Sequence, residues 1–365
     1  MKICCFIDSL GSGGAQRQIV NLCVGLKNRG HEVSLLTYHP EDFFKKRLSD
    51  NNIEVTTITS KGTLGLVIKV RKYFMKKEPD VVVSFLTSPS LIACLASALP
   101  HKWKLITGER NSKEEIFAGI KGKITVYAER FSDWKVANSD VGRQMWIKHC
   151  PQYTAKLSTI YNPVIIHDTL MSPQREKDGR LRIVVAASYQ YTKNPVTVAQ
   201  ALALLSEEER SKIVLEWFGR IEVVSGDTRA YDETKKAVEE KELQNVFVLH
   251  GETKEIYTEM NNADVVGLFS IVEGLPNAIC EGMMLGKPII MTPVSDFKTF
   301  VTPENGFLCA DPGVGSILNA LRLLINSSDE TIKNMGIKSK EIADRLFDFR
   351  SNIDKWESLI FDLVM

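Results

Sequence analysis

The stretch KICCFIDSLGSGGAQRQIVNLCVGLKNRGHEVSLLT, residues 2–37, decides the fold class of this 365-residue chain. It opens with an apolar run at 2–7, which is typical of a buried strand. A cluster of glycines follows, and apolar residues then recur at helical spacing until Gly30 ends the helix. Residues 33–37 have the composition of a second strand. A strand, a glycine turn, a helix and a strand in this order predict the start of a doubly wound parallel sheet.

The same alternation continues along the chain and then begins again. Tyr161-Asn162-Pro163-Val164 separates the two series and has the character of a linker, because proline holds the preceding residue extended. We therefore predict an α/β protein with two Rossmann-like domains, 1–165 and 166–346, and a cleft between them. Strands are predicted at 2–7, 33–37, 55–58, 81–85, 105–107 and 135–137, and in the second series at 181–187, 214–218, 246–249, 265–268 and 288–292.

The composition excludes several classes of protein. With 44% hydrophobic and 25% charged residues, the chain is neither disordered nor collagen-like nor a disulfide scaffold. Its seven cysteines are odd in number and irregular in spacing, which predicts reduced core residues and a cytoplasmic location. No CxxC or HExxH motif is present, so no zinc site is predicted. No window approaches the roughly 18–20 apolar residues of a membrane span.

The net charge of +1 conceals an asymmetry between the two predicted domains. Residues 1–165 carry 24 basic and 14 acidic residues, whereas residues 166–365 carry 22 basic and 31 acidic residues. Such a difference between halves often reports the charge of binding partners. It favours an anionic or membrane-embedded partner for the first domain.

The strongest functional signal is FSIVEGLPNAICEGMMLGKPII, residues 269–290. Glu273 and Glu281 stand eight residues apart, and residues 274–277 between them form the predicted start of a helix. A helix N-terminus exposes unpaired N–H groups that bind phosphate or sugar oxygens. Glu273 could accept hydrogen bonds from sugar hydroxyls, and Glu281 could take the two adjacent hydroxyls of a ribose. The alternative is a capping loop followed by an ordinary helix with a surface glutamate.

These residues resemble a known family. The motif Ser270-Ile-Val-Glu273-Gly274-Leu275-Pro276-Asn277 with Glu281 is similar to the E-x7-E motif of family 4 retaining glycosyltransferases of GT-B fold (glycosyl transferases group 1). Gly286-Lys287-Pro288 and Asn305-Gly306 fit the same pattern. The resemblance implies that Glu273 is catalytic, that the backbone of 274–277 holds the donor sugar and phosphates, and that Glu281 holds the ribose. It also implies a C-terminal helix, 347–365, packing back on the first domain.

The resemblance places a second group of donor contacts after the first strand of the second domain. The family usually has an arginine there and a lysine five residues later, both facing the diphosphate. Lys193 matches the lysine and is expected to be catalytic, because a cation stabilises charge on the leaving group. Ser188 stands where the arginine is expected. Arg220, after Gly219 at the next strand end, is the predicted substitute, and an ordinary surface arginine is the alternative.

Two further segments are predicted to line the acceptor side. The glycine loop after the first strand supplies Gly13 and Gly14, with Gln16 and Arg17 as acceptor contacts; a tight turn alone is the alternative. The second segment is Glu109-Arg110-Asn111, after the strand at 105–107. Arg110 could bind a diphosphate and is assigned a catalytic role. Here the alternative is a solvated loop ion pair.

Taken together, the resemblance implies transfer of a hexose from a nucleoside diphosphate sugar, first of all a UDP-sugar, to a hydroxyl of a lipid-linked glycan or polysaccharide precursor. No cofactor or metal is expected, and no DxD motif is present. Three alternatives stay open. One is an NAD-linked dehydrogenase, which the missing GxGxxG weakens. The others are a donor-hydrolysing or phosphorolytic GT-B enzyme and a noncatalytic nucleotide-sugar-binding protein.

Two basic segments, the stretch 61–77 and a predicted helix over 113–135, raise the question of a membrane. The first carries six basic residues, no acid and interspersed apolar residues, a pattern that lies on anionic lipid in amphipathic helices. Peripheral binding to the inner face of the cytoplasmic membrane is one hypothesis. The alternative is ordinary helices whose apolar faces are buried on the sheet. No nucleic-acid partner is expected, because no nucleic-acid-binding module is evident.

Overall fold

A computed structural model describes residues 1–110, 114–166, 178–223 and 226–365. The chain divides into two compact units, one formed by Met1–Pro163 with Phe349–Met365 and the other by Val164–Asp348. The division lies within two residues of each predicted domain limit, and the last helix belongs to the first unit. The first unit carries 26 basic and 17 acidic residues, and the second carries 20 and 28.

The first unit is built on a parallel sheet with the order β3-β2-β1-β4-β5-β6-β7. Its central strands β1 and β4 are buried because helices cover both sides of the sheet, as is usual for parallel sheets. The strands are β1 Lys2–Phe6, β2 Glu32–Thr37, β3 Glu54–Thr57, β4 Val81–Phe85, β5 Lys104–Glu109, β6 Trp134–Ala137 and β7 Leu157–Thr159. The helices that precede the second unit are α1 Gly14–Asn28, α2 Lys45–Asp50, α3 Thr63–Lys77, α4 Thr87–Ala96, α5 Gly119–Ala128 and α6 Asp140–His149.

The second unit is built on another parallel sheet, with the order β10-β9-β8-β11-β12-β13. Its strands are β8 Leu181–Ala186, β9 Ile213–Phe218, β10 Phe247–His250, β11 Val265–Leu268, β12 Ile289–Met291 and β13 Gly306–Leu308. Its helices are α7 Pro195–Ala203, α8 Glu207–Arg210, α9 Arg229–Glu240, α10 Ile256–Asn261, α11 Asn277–Met284, α12 Phe297–Phe300, α13 Val314–Ile325 and α14 Asp329–Phe347, and α15 Phe349–Val364 then returns to the first unit.

Helices cover both faces of the first sheet, and the apolar side of each helix packs on the strands. Helices α1 and α15 lie on one face, where Ile19, Ile353 and Trp356 share one core cluster. Helices α3, α4 and α5 lie on the other face in a second cluster. Gly25 lets α1 and α15 approach closely, because a Cβ at that position would lie 2.4 Å from the Ile353 side chain.

The prediction of one continuous helix over 113–135 is wrong. Residue 113 lies outside the described ranges, and the rest divides into a 3-10 turn at Glu114–Phe117, helix α5, a second 3-10 turn at Glu129–Phe131 and the start of β6. Gly119, the first residue of α5, adopts a φ of +65°, which residues with a side chain rarely adopt, and so the chain changes direction between the first turn and α5. The sequence analysis also missed the three-residue strands β7 and β13.

All seven cysteines are buried, and none of them forms a disulfide bond. Within the described ranges, no helix is both long enough and apolar enough to cross a membrane. In the same residues, no cluster of three His, Cys, Asp or Glu side chains could hold a metal ion.

A buried ion pair ties β6 to the chain that precedes it. Lys135 Nζ lies 3.0 Å from Glu129 Oε2, and their side chains are only 4% and 3% exposed. Thr107 and Ser132 both donate hydrogen bonds to the other oxygen of Glu129. Lys135 also lies 4.2 Å from the centroid of the Trp146 ring. The charge on each partner is therefore stabilised chiefly by the other and by its polar neighbours.

We expect Glu129→Gln to lower the free energy of unfolding of the first unit by about 3 kcal/mol, because it leaves the Lys135 charge buried without a counterion. Chemical unfolding followed by tryptophan fluorescence measures the change. Glu341→Gln, which breaks the exposed Lys338–Glu341 pair, is the control and should change stability by less than about 0.5 kcal/mol. Equal effects of the two variants on stability would mean that the buried Lys135–Glu129 pair contributes no more than an exposed pair.

Candidate functional site

The strand order of the second sheet reverses between β8 and β11. The loops that leave these neighbouring strands at their carboxyl ends therefore start side by side, and this is where open α/β sheets bind ligands. The first loop covers residues 187–194 and the second covers residues 269–276. A backbone hydrogen bond joins them, from Ile271 N to Thr192 O at 2.8 Å.

An ion pair between two predicted catalytic residues crosses this junction. Lys193 Nζ lies 2.5 Å from Glu273 Oε1, and Ser270 Oγ donates to the same oxygen at 2.7 Å. The side chains are 22% and 13% exposed, so the pair is shielded but open to a ligand. It joins a cation suited to phosphate with a carboxylate suited to sugar hydroxyls.

The loop from Glu273 leads directly into helix α11. Gly274, Leu275 and Pro276 connect the two, and Asn277 is the first helical residue. Ser295 Oγ donates a hydrogen bond to the Gly274 carbonyl, and Leu275 is buried. The loop is thus held at Gly274 and at Leu275, and it leads from Glu273 to the N-terminus of α11, which is the positive end of the helix dipole.

Glu281 lies one turn into α11, as the eight-residue spacing predicts. Its Oε1 accepts a hydrogen bond from Tyr257 Oη of α10 at 3.0 Å. Both side chains are half-buried. The second glutamate of the motif is therefore held by a residue outside the motif.

The loops after β8 and β9 pack against each other at Gly219. A Cβ at this position would lie 1.9 Å from the Ala187 carbonyl oxygen and 2.9 Å from Ser188 N, so only glycine fits. Tyr189 N donates to the Arg220 carbonyl at 2.9 Å across the same contact. Ser188 Oγ accepts a hydrogen bond from Gln190 Nε2 at 3.0 Å. Gly219 therefore shapes the loop that carries Lys193.

Arg220, the predicted replacement for the missing family arginine, turns toward another partner. Its side chain is 56% exposed and lies 3.5 Å from Glu252 Oε2. Its backbone belongs to the loop junction, but its guanidinium forms a surface ion pair. Its expected part in the cationic clamp stays a prediction.

In the first unit, the glycine loop follows β1 at the point where this sheet also reverses its order, between β1 and β4. Gly13 is the N-cap residue of α1, and Gly14 begins the helix. Arg17 N donates to the Gly13 carbonyl at 3.0 Å. Gln16 Nε2 donates to Asp8 Oδ1 at 3.0 Å, so its amide is anchored to the end of β1.

Glu109 and Arg110, adjacent in sequence, have different surroundings. Glu109 is buried at the end of β5 and accepts a hydrogen bond from Trp146 Nε1 at 2.8 Å, so it is not part of a solvated loop. Arg110 stacks over Phe85, with 3.6 Å from its guanidinium carbon to the ring centroid, and donates to Asn162 Oδ1 at 3.2 Å. Asn111 lies outside the described residues.

The environment of Arg110 bears on its predicted catalytic role. Its guanidinium carbon also lies 5.9 Å from the Trp356 ring centroid, so strand β4, the linker and α15 all contribute to its surroundings. Burial lowers the pKa of the Arg110 guanidinium below its ordinary value, and the Glu109 carboxylate opposes this effect. Arg110 is therefore engaged by Phe85, Asn162 and Trp356, and its catalytic role stays a prediction.

Three of these residues were not assigned a role from the sequence, for different reasons. The role of Ser270 could have been predicted, because Ser270 is the first residue of the recognised motif. Its hydroxyl holds Glu273 in place. Tyr257 and Trp356 act through contacts with residues 24 or more positions away in sequence, at Glu281 and at Arg110. Patterns within a short stretch of sequence do not predict contacts between residues so far apart.

The sequence matches two families that together span most of the chain. Residues 12–167 match the family described as Glycosyltransferase Family 4, and residues 167–342 match the family described as Glycosyl transferases group 1. The chain belongs to the family 4 glycosyltransferases of GT-B fold. The NAD-linked dehydrogenase alternative is accordingly not favoured.

Two curated relatives of this glycosyltransferase have names that specify lipid-linked glycans. One is an α-1,4-N-acetyl-D-galactosaminyltransferase of Campylobacter jejuni, named for a GalNAc-GalNAc-diNAcBac-PP-undecaprenol substrate. It is 24% identical over 100% of this chain and 99% of its own length. The other is the UDP-Gal:α-D-GlcNAc-diphosphoundecaprenol α-1,3-galactosyltransferase of Escherichia coli. It is 26% identical over 82% of this chain and 79% of its own length.

The fold agrees with a solved structure of a similar protein. Anabaena HepE, crystallised with UDP, superposes with a TM-score of 0.86 at 19% identity, covering 99% of this glycosyltransferase and 100% of HepE. At this level of identity the agreement shows the GT-B fold and nothing finer.

We expect Gly219→Ala to destabilise the second unit by about 1–3 kcal/mol, because the new methyl group would collide with backbone atoms that cannot move aside. Thermal unfolding measures this change. Gly251→Ala is the matched control, because Gly251 directly follows β10 and a Cβ there would meet nothing within 4 Å. Equal unfolding temperatures for the two variants would contradict the packing argument.

Proposed function

We propose that this glycosyltransferase moves a sugar from a UDP-sugar to a hydroxyl of an undecaprenyl-diphosphate-linked glycan, with retention of anomeric configuration. The observation that carries the proposal is the Lys193–Glu273 pair at the strand-order reversal of the second sheet. The names of the relatives from Campylobacter jejuni and Escherichia coli support the acceptor class. The UDP bound to HepE and the UDP-sugar named for the Escherichia coli relative support the donor.

The proposed reaction breaks the bond between the sugar C1 and the phosphate oxygen and forms a bond from C1 to the acceptor oxygen. The acceptor proton passes to the leaving diphosphate, so no protein nucleophile is required. When the donor binds, Lys193 turns from Glu273 to the diphosphate and stabilises the charge that develops there. Glu273 then accepts hydrogen bonds from sugar hydroxyls.

The ligand-free ion pair has a physical consequence for donor binding. Each member satisfies the other in the absence of ligand, so neither carries an uncompensated charge in a shielded position. When a phosphate or hydroxyl of the UDP-sugar takes the place of one member of the pair, one charge-assisted hydrogen bond is exchanged for another. Ser270 keeps Glu273 in place during this exchange, because its hydrogen bond does not involve Lys193.

We expect Glu273→Ala and Lys193→Ala each to lower kcat by about 10²–10³-fold, the usual effect of removing one preorganised electrostatic group. The assay measures transfer of radiolabelled sugar from a panel of UDP-sugars to undecaprenyl-diphosphate-linked glycans. NMR of the product tests retention at C1.

Glu239→Ala, at an exposed position in α9, is the control for these variants and should leave transfer unchanged. Full activity of Glu273→Ala would reject the proposed donor site. Transfer with inversion at C1 would reject the mechanism while leaving the donor site intact.

We also propose that helices α3 and α5 attach this enzyme to an anionic membrane. Helix α3 buries Leu66, Val70 and Phe74 in the core and exposes Leu64, Ile68 and Met75 on its opposite side. The exposed set recurs at helical spacing and projects from the same sheet face that α5 covers.

Helix α5 repeats the arrangement on a smaller scale. It exposes Ile120, Ile124 and Tyr127, with the isoleucines 79% and 49% exposed. Lys121 and Lys123 are exposed between them. Helices α3 and α5 both pack against α4 on this face. Apolar stripes flanked by lysines on these two helices fit an anionic lipid surface, where the apolar groups enter the headgroup region and the lysines meet lipid charges.

The basic residues of α3 and of the turn before it make different contacts. Lys77 pairs with Glu54 at 2.8 Å, and Arg71 donates to backbone carbonyls of Ala96 and Pro100. Lys61, Lys72 and Lys76 are exposed and are therefore the residues to test.

We expect Lys61→Glu/Lys72→Glu/Lys76→Glu to weaken binding to phosphatidylglycerol vesicles by about tenfold or more, since each basic group near a charged surface contributes about 1 kcal/mol. Vesicle sedimentation measures the change. The control reverses Lys235, Lys236 and Lys333 on the second unit, which alters net charge equally. Equal weakening by both sets would mean that net charge, and not this surface, governs binding.

A further inference from the structure

Tyr257 lies outside every recognised motif, yet it contacts the predicted ribose ligand. It belongs to α10, which enters β11, whereas Glu281 belongs to α11, which leaves the same strand on the way to β12. Tyr257 Oη donates to Glu281 Oε1 at 3.0 Å. The contact therefore joins the two helices on either side of the strand that leads to Glu273.

A glutamate carboxylate can face several directions, because its side chain has three rotatable bonds. Ordering such a side chain has an entropic cost when a ligand must do it. A hydrogen bond present before the ligand arrives removes part of that cost. A carboxylate accepts several hydrogen bonds at once, so accepting the bond from Tyr257 does not prevent Glu281 from accepting bonds from hydroxyls as well.

We infer that Tyr257 is a positioning residue that determines the specificity of this site for ribonucleotides over 2′-deoxyribonucleotides. It holds the Glu281 carboxylate so that the two adjacent hydroxyls of the ribose donate to it together. A 2′-deoxyribonucleotide offers one hydroxyl and leaves a preorganised acceptor without a donor, and such a loss is penalised more than a missing apolar contact. The inference rests on the proposed function, since it assigns Glu281 to the ribose.

A purely structural role for Tyr257 makes a different prediction. If the hydroxyl only tied α10 to α11, removing it would weaken the binding of both nucleotides alike. If it positions Glu281, removing it weakens the ribonucleotide more than the deoxyribonucleotide. The ratio of the two affinities therefore separates the roles, and overall affinity does not.

The experiment measures UDP and 2′-deoxy-UDP binding by isothermal titration calorimetry to the full chain and to Tyr257→Phe. We expect the wild-type enzyme to prefer UDP by about tenfold or more, and Tyr257→Phe to shrink this preference by roughly three- to tenfold, the effect of one hydrogen bond. Glu281→Gln should shrink it as well. The double variant should shrink it no further than Glu281→Gln alone, because both act through one carboxylate.

Tyr153→Phe is the matched control, because it also removes a single tyrosine hydroxyl, one that donates to the Val126 carbonyl in the first unit. It should leave the affinity ratio unchanged. Glu281→Gln keeps the proposal testable if Tyr257→Phe does not fold, since an unchanged ratio in that variant also overturns it.

The two proposals fail in distinguishable ways. An unchanged ratio in Tyr257→Phe, or an equal loss for both nucleotides, overturns the role of Tyr257 while the donor site stands. If the wild-type enzyme binds neither UDP nor 2′-deoxy-UDP, the proposed donor is overturned, and the role of Tyr257 with it.

Discussion

The reversal of strand order between β8 and β11 is the constraint on which the site depends. Neighbouring parallel strands end at the same edge of the sheet, and their loops then run to helices on opposite faces, which leaves a crevice between them. The backbone bond from Ile271 to Thr192 closes the base of that crevice. Lys193 and Glu273, 80 positions apart in sequence, meet there because their loops leave neighbouring strands at the same edge of the sheet.

Hydrogen bonds from neighbouring side chains hold the polar residues around this junction in place. Glu273 is held by Ser270, the loop beyond it is held by Ser295, and Glu281 is held by Tyr257. Gly219 has no side chain, and this lets the loop after β9 pack directly against the loop that carries Lys193. Precise placement of a few charged groups by packed neighbours is what an electrostatic mechanism requires, because those groups must be aligned before charge develops.

Sequence patterns were sufficient for the fold and for the core of the site, but not for the contacts that support it. Apolar runs and helical periodicity located β1, β4 and α11 closely, since these elements are buried and regular. The three-residue strands β7 and β13 were missed because they carry too few residues for any periodicity. The segment 113–135 was mistaken for one helix because the positive φ of Gly119 depends on its tertiary setting. Arg220 shows a related limit: its position after β9 was predictable, but its choice of Glu252 as partner was not.

The donor nucleotide is expected to bind where the β8 and β11 loops meet. A crystal structure of the enzyme grown with UDP should show diphosphate density between Lys193 and the first turn of α11, with the Lys193–Glu273 contact opened and the ribose beside Glu281. Nucleotide density elsewhere, with that ion pair still closed at 2.5 Å, would mean that this junction is not the donor site.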